Sequence, residues 1–439
     1  MKRLLITFFV AAAALFTVAS CDKNNENKNK TVEFSVQLFS ENEAFQAEGV
    51  TVELAEASGA AKYEATTDAE GCASFKVPAG DYSASVLYKT SKDGELLVYS
   101  GSATFSVEKN ATEPFKIDLK KVATPQIIVK EFYSTGCQKG TGTYSDDAYM
   151  ILYNNTSEEA DASDIVISAL QPGNAHATNK YYVDGKLLYE NEPWILAYSA
   201  IWWFKQEVKI PAYSQIVIAI FGSINHSETV PDSVNLDNEE YYWMSNEDIS
   251  GTFKAVKYKR GSNVKPEHFL TTFPVSAGTS WVISNSSPAI YIGKMDKAEA
   301  EALCKDTENY DRTMLTNAKF PKNKVIDCLE VWAADKVANS KIRFSADLNT
   351  GYVTISNNLG HTIYRNVDKQ ATEALPENEG KLVYDYAGGT YDAATGTGST
   401  DPSGIDAEAS IANGAHIIYQ NTNDSGRDFH ERAKSSLKK

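Results

Sequence analysis

The feature that most constrains the fold is a period-two alternation of apolar and polar residues that begins after Thr31. Residues 32–38 read VEFSVQL, with an apolar side chain at every second position. Successive side chains of a strand point to opposite faces, so this pattern predicts a strand with one buried face. Similar runs follow, separated by turn signals such as Glu70-Gly71 and Pro78-Ala79-Gly80. About seven short strands over residues 31–121 predict a Greek-key β-sandwich.

A second β-rich region begins after residues 120–125, a charged stretch closed by a proline that favours an extended link. The runs Gln126–Tyr133 and Ala148–Asn155 flank a glycine-rich loop, GCQKGTG, at residues 136–142. This loop lacks the G-K-[ST] ending of a phosphate-binding loop and precedes a strand, so we interpret it as a hairpin loop. We predict an all-β chain whose second, larger sandwich covers residues 126–437.

Two stretches of this second domain are predicted to be insertions, at about 225–319 and 380–406. The first contains one short helix, Asp296–Lys305, because its Ala and Glu residues are good helix formers and one of its sides is apolar. The second is rich in Gly, Asp and Thr and has few apolar residues, so we expect a long mobile loop.

The first 21 residues have the pattern of a lipoprotein export signal. Lys2 and Arg3 precede an apolar stretch, Leu4–Val18, which is too short for a stable membrane anchor. The small residues Ala19-Ser20 then lead to Cys21. We expect cleavage before Cys21, a diacylglyceryl group on its thiol and a further acyl chain on the new N-terminus. Stable anchoring requires two membrane-binding groups, so three acyl chains are sufficient. The alternative is an ordinary signal peptide with a cysteine there by chance.

Residues 22–30, DKNNENKNK, contain no apolar side chain and are predicted to be a solvated tether. We therefore expect a lipid-anchored outer-membrane protein, and the acidic residues of the tether are too few to decide between the cell surface and the periplasmic face. The formal charge of −16 becomes −18 once Lys2 and Arg3 are removed with the signal. This charge repels nucleic acid, so we exclude DNA and RNA as partners.

Four cysteines remain in the exported part: Cys72, Cys137, Cys304 and Cys328. Export gives a setting in which disulfides persist, and four cysteines allow three pairings. We favour a Cys304–Cys328 disulfide because these two are nearest in sequence. Buried free thiols are the alternative.

Residues 66–86 carry a D-x-x-G-x-x-x-F-x-x-P-x-G-x-Y pattern, formed by Asp68, Gly71, Phe75, Pro78, Gly80 and Tyr82. We expect positive φ angles at the two glycines and core positions for the two aromatic rings. The pattern resembles transthyretin-like, carboxypeptidase-regulatory-like modules, and the resemblance covers residues 31–121. Modules of this kind are usually spacers or adaptors, which is what the resemblance implies for this domain.

The start of the second domain resembles a lamin-tail domain. Glu131 matches the glutamate of the first strand, and residues 153–155, YNN, match the end of the second. The acidic residue usual inside that second strand is replaced by Met150 and Ile151. The whole chain thus resembles an uncharacterised family of exported Gram-negative lipoproteins that joins a transthyretin-like module to a lamin-tail-like domain.

The sequence contains no local signature of catalysis such as G-x-S-x-G, H-E-x-x-H or C-x-x-C. Residues 421–431, NTNDSGRDFHE, have the initial spacing of a calcium loop, but Arg432 replaces the glutamate required at its twelfth position, so we prefer a tight turn. His430, with Asp428 and Glu431, is the only dense cluster of histidine and carboxylates. We therefore predict no enzyme, no cofactor and no metal site, and keep as an alternative a hydrolase assembled in three dimensions around His430 or His268.

The run Tyr198–Phe204, YSAIWWF, lies in the richest concentration of large aromatic residues. Because Trp202 and Trp203 are adjacent in a β-like run, they cannot both face the same core. We predict a ligand- or partner-binding surface formed by Trp202, Trp203 and Tyr198, with a buried contact as the alternative. The predicted function is a non-catalytic lipoprotein that binds a nutrient, glycan or protein partner at the cell envelope. A structural adaptor that docks on an outer-membrane receptor is the other alternative.

Overall fold

The computed structural model describes residues 31–56, 61–92, 95–108, 113–124, 126–171, 179–245, 257–275, 280–311 and 317–438. The chain divides into two compact units. The first ends at Lys89 and also includes Val98–Lys121, and the second includes Thr90–Leu97 and everything from Val122 onward. Both consist mainly of strands, so the all-β prediction is confirmed. None of the helices in the described ranges is long and apolar enough to span a membrane.

Eight strands form one sheet that belongs mainly to the first unit, in the order β2-β1-β8-β7-β6-β3-β4 with β5 on β1. The strands are β1 Thr31–Ser40, β2 Glu43–Ala44, β3 Thr51–Glu56, β4 Lys62–Thr66, β5 Cys72–Pro78, β6 Gly80–Lys92, β7 Glu95–Val107 and β8 Phe115–Thr124.

The alternation predicted for β1 is confirmed, because its apolar positions are buried and its polar positions are more exposed. Phe75 and Tyr82 are also buried in the core of this unit, as expected. Gly71 has a φ of +80°, and a Cβ there would collide with the Phe45 carbonyl oxygen, so the turn requires glycine. The same expectation for Gly80 is wrong, since its φ is not positive.

The second unit contains twenty strands and four helices among its described residues. Its strands are β9 Ile127–Tyr133, β10 Cys137–Lys139, β11 Gly142–Tyr144, β12 Tyr149–Asn154, β13 Ala160–Asp161, β14 Ile165–Ala169, β15 Tyr182–Val183, β16 Lys186–Leu187, β17 Trp194–Tyr198, β18 Ala200–Phe204, β19 Lys209–Ile210, β20 Gln215–Ala219, β21 Tyr242–Met244, β22 Phe269–Pro274, β23 Ala289–Lys294, β24 Asn317–Pro321, β25 Val325–Ala333, β26 Val353–Ile355, β27 Thr362–Arg365 and β28 Phe429–Arg432. Its helices are α1 Lys297–Lys305, α2 Lys369–Glu373, α3 Ala407–Ala412 and α4 Ser425–Asp428.

Twelve of these strands form one sheet in the order β26-β25-β23-β14-β18-β22-β21-β20-β12-β9-β27-β28. The sheet curls back on itself, because β26 contacts β28 and β25 contacts β9. A buried ion pair joins the strands that meet where the sheet closes. Arg365 Nη2, on β27, lies 2.5 Å from the carboxylate of Asp327, on β25. The same carboxylate accepts the backbone N–H of Val129, on β9, at 2.7 Å. The curled sheet encloses the largest apolar cluster of the unit.

The outer face of the sheet is also covered, and this explains why many of its strands are buried at every position rather than at alternate ones. One outer cluster includes residues of α1 and of the small sheet β17–β24. Helix α1 confirms the helix predicted at Asp296–Lys305, and Asp296 caps it by accepting the Ala298 N–H. The prediction of a single helix is wrong, because α2, α3 and α4 are short helices within irregular segments that carry no clear helical periodicity.

Two further predictions differ from the structure. All four described cysteines are free thiols, so the Cys304–Cys328 disulfide is wrong and the alternative of free thiols holds. The segment 380–406 is no loose loop, because backbone hydrogen bonds join Thr390 to Ser399 and Tyr386 to Gly404. The glycine-rich loop before β12 forms the β10–β11 hairpin, as predicted.

Candidate ligand-binding pocket

The predicted aromatic surface is not exposed. Trp202 is 0% and Trp203 is 2% accessible to solvent, so the expectation that one of them faces solvent is wrong. Trp202 points into the closed interior of the curled sheet, where its ring lies 6.2 Å from that of Trp281. Trp203 points outward into the cluster beneath α1 and stacks on Phe273 at 5.7 Å. The two side chains do face different cores, as their adjacency required, but both cores are covered.

Tyr198 belongs to a different strand from the two tryptophans. It ends β17, whereas the tryptophans lie on β18, and Ser199 between the strands has a φ of +68°. This left-handed residue turns the chain from one sheet to the other, so residues 198–204 are not one continuous strand. Tyr198 is half-buried, and burial raises the pKa of its phenol. The structure therefore does not join the three residues into one surface.

The histidine and carboxylate cluster at the last strand is also divided among separate contacts. His430 is 1% exposed, with its Nε2 2.7 Å from the Tyr386 hydroxyl and its Nδ1 2.7 Å from Asn366 Oδ1. Burial lowers the pKa of His430 to about 3. Asp428 accepts the Thr422 N–H, and Glu431 lies 2.7 Å from His361 Nδ1. This geometry gives no support to a hydrolase built on His430.

His268, the other histidine considered for such a site, stacks on Tyr242 at 4.5 Å. Within the described residues, no group of three or more His, Cys, Asp and Glu side chains is arranged to hold a metal ion. In the calcium-like segment, Asp424 caps the short helix α4 through the Gly426 and Arg427 N–H groups, and Ser425 bonds to Asn349. The predicted lipidation site, Cys21, lies outside the described residues.

A pocket of about 410 Å³ lies at one end of the curled sheet. It is built mainly by the connection between β20 and β21, which are parallel neighbours in the sheet. Parallel neighbours cannot be joined by a tight turn, so the chain needs a long crossover there. Residues from this connection meet the C-terminal segment of the chain, and the lining consists of Ser227, Pro231, Ser233, Val234, Asn235, Asn238, Tyr241, Leu437 and Lys438.

A buried histidine holds the first part of this connection in shape. His226 Nε2 lies 2.7 Å from the Gly222 carbonyl oxygen, which only accepts, so Nε2 carries the proton and donates. His226 Nδ1 makes a second hydrogen bond with the Tyr144 hydroxyl at 2.6 Å. The backbone pairs Asn225 with Asn235, which places residues 226–235 as a compact loop at the pocket wall.

Two asparagines of the lining, Asn235 and Asn238, use their side-chain oxygens in local turns. Asn235 Oδ1 accepts the Asp237 N–H and Asn238 Oδ1 accepts the Glu240 N–H, both at 2.9 Å. Because a backbone N–H can only donate, these contacts fix which amide atom is oxygen. Among the described residues neither Nδ2 group has a hydrogen-bond partner, and both side chains belong to exposed residues. Each asparagine thus uses its oxygen for its own turn, and its NH₂ group is open to solvent.

A buried carboxylate supports the pocket from below. Ser233, which lines the pocket, donates its hydroxyl to Asp147 Oδ2, and Tyr133 donates to the same oxygen at 3.1 Å. Asp147 is fully buried and its Oδ1 has no hydrogen-bond partner. Burial raises the pKa of this carboxyl, and its contact with the Ser233 hydroxyl partly opposes that rise. Asp147 fixes the orientation of Ser233 at the pocket floor.

The apolar part of the lining comes from Pro231, Val234, Tyr241 and Leu437. Tyr241 and Leu437 pack against the cluster that contains Trp243, so their positions are tied to the sheet. Lys438 donates to the Asp232 carbonyl oxygen at 2.8 Å and lies 3.6 Å from the Asp232 carboxylate. Among the described lining residues Lys438 is the only cation, and the Asp232 carboxylate beside it offsets its charge.

Sequence reasoning missed every lining residue. Two signals were available: Asn235 and Asn238 are turn-forming residues, and the connection between β20 and β21 is long. Neither signal identifies a pocket, because the lining also needs Leu437 and Lys438, about two hundred positions later in the chain. Only the fold brings these parts together.

A sequence model of a protein family of unknown function, DUF4876, matches residues 213–386. The matched segment includes the loop that builds most of the pocket, whereas Leu437 and Lys438 lie beyond it. No curated protein matches the sequence.

One solved structure is similar in fold over most of the chain. A DUF4876 family protein from Bacteroides thetaiotaomicron is 18% identical, with a TM-score of 0.52 over 91% of this chain and 94% of that one. A candidate carbohydrate binding protein from Pseudomonas aeruginosa is 20% identical over 22% of this chain and 91% of its own, with a TM-score of 0.16. The major pilin subunit BcpA of Bacillus cereus is 10% identical over 75% of this chain and 99% of its own, with a TM-score of 0.19. At these identities the first match shows a shared fold alone.

Proposed function

We propose that this protein is a lipid-anchored, non-catalytic binding protein of the outer membrane that holds the end of a neutral glycan in the pocket between residues 227–241 and the C-terminal segment. The observation that carries the proposal is the pair of unpartnered Nδ2 donors on Asn235 and Asn238 above an apolar wall.

The chemistry of the lining supports a polyhydroxylated ligand. Sugar hydroxyls accept hydrogen bonds from amide NH₂ groups, and the C–H face of a sugar ring packs on apolar and aromatic side chains such as Tyr241 and Leu437. A volume of about 410 Å³ is within the usual range for small-molecule sites. Among the described residues, the lining includes no carboxylate, whereas the usual glycosidase mechanism needs two.

The neutral character of the ligand follows from the charges. Lys438 is already beside Asp232, and the whole chain has a net charge of −16, which disfavours the approach of anionic molecules. The proposed anchor rests on the sequence around Cys21, since lipidation there would hold the pocket at the membrane surface.

The test is an array of neutral and acidic oligosaccharides probed with the full mature chain and two variants. The double substitution Asn235→Asp with Asn238→Asp keeps the two Oδ1 acceptors of the turns and replaces each NH₂ donor with a second, negatively charged carboxylate oxygen. We expect the wild type to bind neutral members of the array and the double variant to bind them at least tenfold more weakly. Glu239→Gln, on the same loop but outside the lining, is the matched control and should bind like the wild type. Equal binding by the double variant would reject this pocket as the site.

A further inference from the structure

We propose that Glu131 is the positioning residue of this pocket and acts through the C-terminal strap, residues Ser435–Lys438. The inference rests on the proposed function, because the strap supplies one wall of the site. Glu131 touches no lining atom itself, but its hydrogen bonds hold in place the segment that carries Leu437 and Lys438.

Glu131 lies on β9 and is completely buried. Its carboxylate accepts the Ser436 N–H at 3.1 Å and the Ser436 hydroxyl, and it accepts the Tyr149 hydroxyl at 2.6 Å. Two of these three donors come from the strap. A buried carboxylate needs such donors, because burying it without them is costly.

A second contact beside Glu131 fixes the start of the strap. The Ser435 and Tyr149 hydroxyl oxygens are 2.5 Å apart. The single proton of Tyr149 goes to Glu131, so Ser435 donates to Tyr149. Ser435 Oγ in turn accepts the Leu437 N–H at 3.1 Å, and the Ser435 carbonyl accepts the Lys438 N–H at 3.1 Å.

These contacts form one chain of hydrogen bonds from the sheet to the pocket. Glu131 and Tyr149 lie on the paired strands β9 and β12, so their positions are rigid. The turn at Ser435 then aims Leu437 at the apolar cluster below Tyr241 and Lys438 at the Asp232 carbonyl. The position of Leu437 and Lys438 in the lining is therefore set by a fully buried carboxylate.

The geometry predicts that loss of Glu131 loosens the pocket more than the rest of the sheet. Glu131→Leu removes all three acceptor contacts, whereas Glu131→Gln keeps one acceptor oxygen and places an NH₂ group beside the Ser436 hydroxyl, which can accept from it. We also consider a chain that ends at Lys434 and so lacks the strap. Lys434→Ala is the control, since Lys434 is exposed and precedes the strap.

The first readout is affinity for the tightest-binding neutral member of the oligosaccharide array, measured per folded molecule. We expect at least tenfold weaker binding by Glu131→Leu and by the shortened chain, a change below about threefold for Glu131→Gln, and none for Lys434→Ala. Unchanged affinity of the shortened chain overturns the proposal, even if Glu131→Leu fails to fold.

The second readout is backbone hydrogen exchange without any saccharide. We expect faster exchange in residues 227–241 of the shortened chain, with unchanged exchange in β14 and β18. If the wild type binds no saccharide, the proposed function fails, and this readout alone decides whether the strap positions the loop. Unchanged exchange in residues 227–241 overturns the inference.

Discussion

The strand that carries Trp202 and Trp203 and the loop that carries Asn235 and Asn238 contrast in almost every respect. The strand holds two large aromatic side chains, and both are buried by a covering layer on each face of the sheet. The loop holds small polar residues, and their donors remain open beside a pocket. The aromatic-rich strand therefore belongs to the core, and the polar loop belongs to the candidate site.

The difference shows what large aromatic residues indicate in a wide sheet. Each buries a large area, so a sheet with two covered faces places aromatics on both of them. Adjacency of Trp202 and Trp203 then requires two different environments but does not require that one of them be water. Turn residues, by contrast, must lie at the surface, because their backbone groups need solvent or local side-chain partners.

Truncation of the buried tryptophan should give the largest effect. Trp202→Ala leaves a cavity inside the curled sheet and should lower the free energy of unfolding by about 3–5 kcal/mol. Denaturant unfolding measures this loss, and Trp202→Phe should lose clearly less. Saccharide affinity per folded molecule should not change. A loss of stability below about 1 kcal/mol would place Trp202 outside the core.

The buried histidine should give an intermediate effect that depends on pH. The pKa of His430 is lowered to about 3 by burial, against 6.5 as its ordinary value. The unfolded chain therefore binds more protons between these values, and His430 contributes stability above pH 6.5 that is lost as the pH falls toward 3.

Between pH 7 and pH 5 this loss amounts to about 2 kcal/mol. His430→Phe should be less stable than the wild type at pH 7, but its free energy of unfolding should fall less between the two pH values, by that amount. Denaturant unfolding at both pH values checks the difference. Equal pH dependence of the two proteins would mean that His430 is protonated in the folded chain.

The smallest effect is expected at the cation of the pocket. Because the proposed ligand is neutral, Lys438→Met should change saccharide affinity by less than about threefold, and raising NaCl from about 0.05 to 0.5 M should leave the affinity of the wild type nearly constant. Calorimetric titration measures both. A steep loss of affinity with salt would instead indicate an anionic ligand and would contradict the proposal that the ligand is neutral.

The sequence predicts the parts of the fold that depend on local pattern. The alternation in residues 32–38, the helix after Asp296 and the β10–β11 hairpin all follow from period, capping and turn residues, and the structure confirms them. Closure of the sheet through Asp327 and Arg365 depends on contacts between distant strands and leaves no local pattern. The pocket cannot be predicted from the sequence for the same reason. Asn238 and Lys438 are distant in the chain, and only the folded sheet brings them into one lining.

The most direct test of the account compares hydrogen exchange in the presence and absence of a saturating neutral oligosaccharide from the array. The account predicts slower exchange in the backbone amides of residues 227–241 and of the strap, with no change in residues 198–204. Slower exchange confined to residues 198–204 would contradict it and would return the binding site to the tryptophan strand.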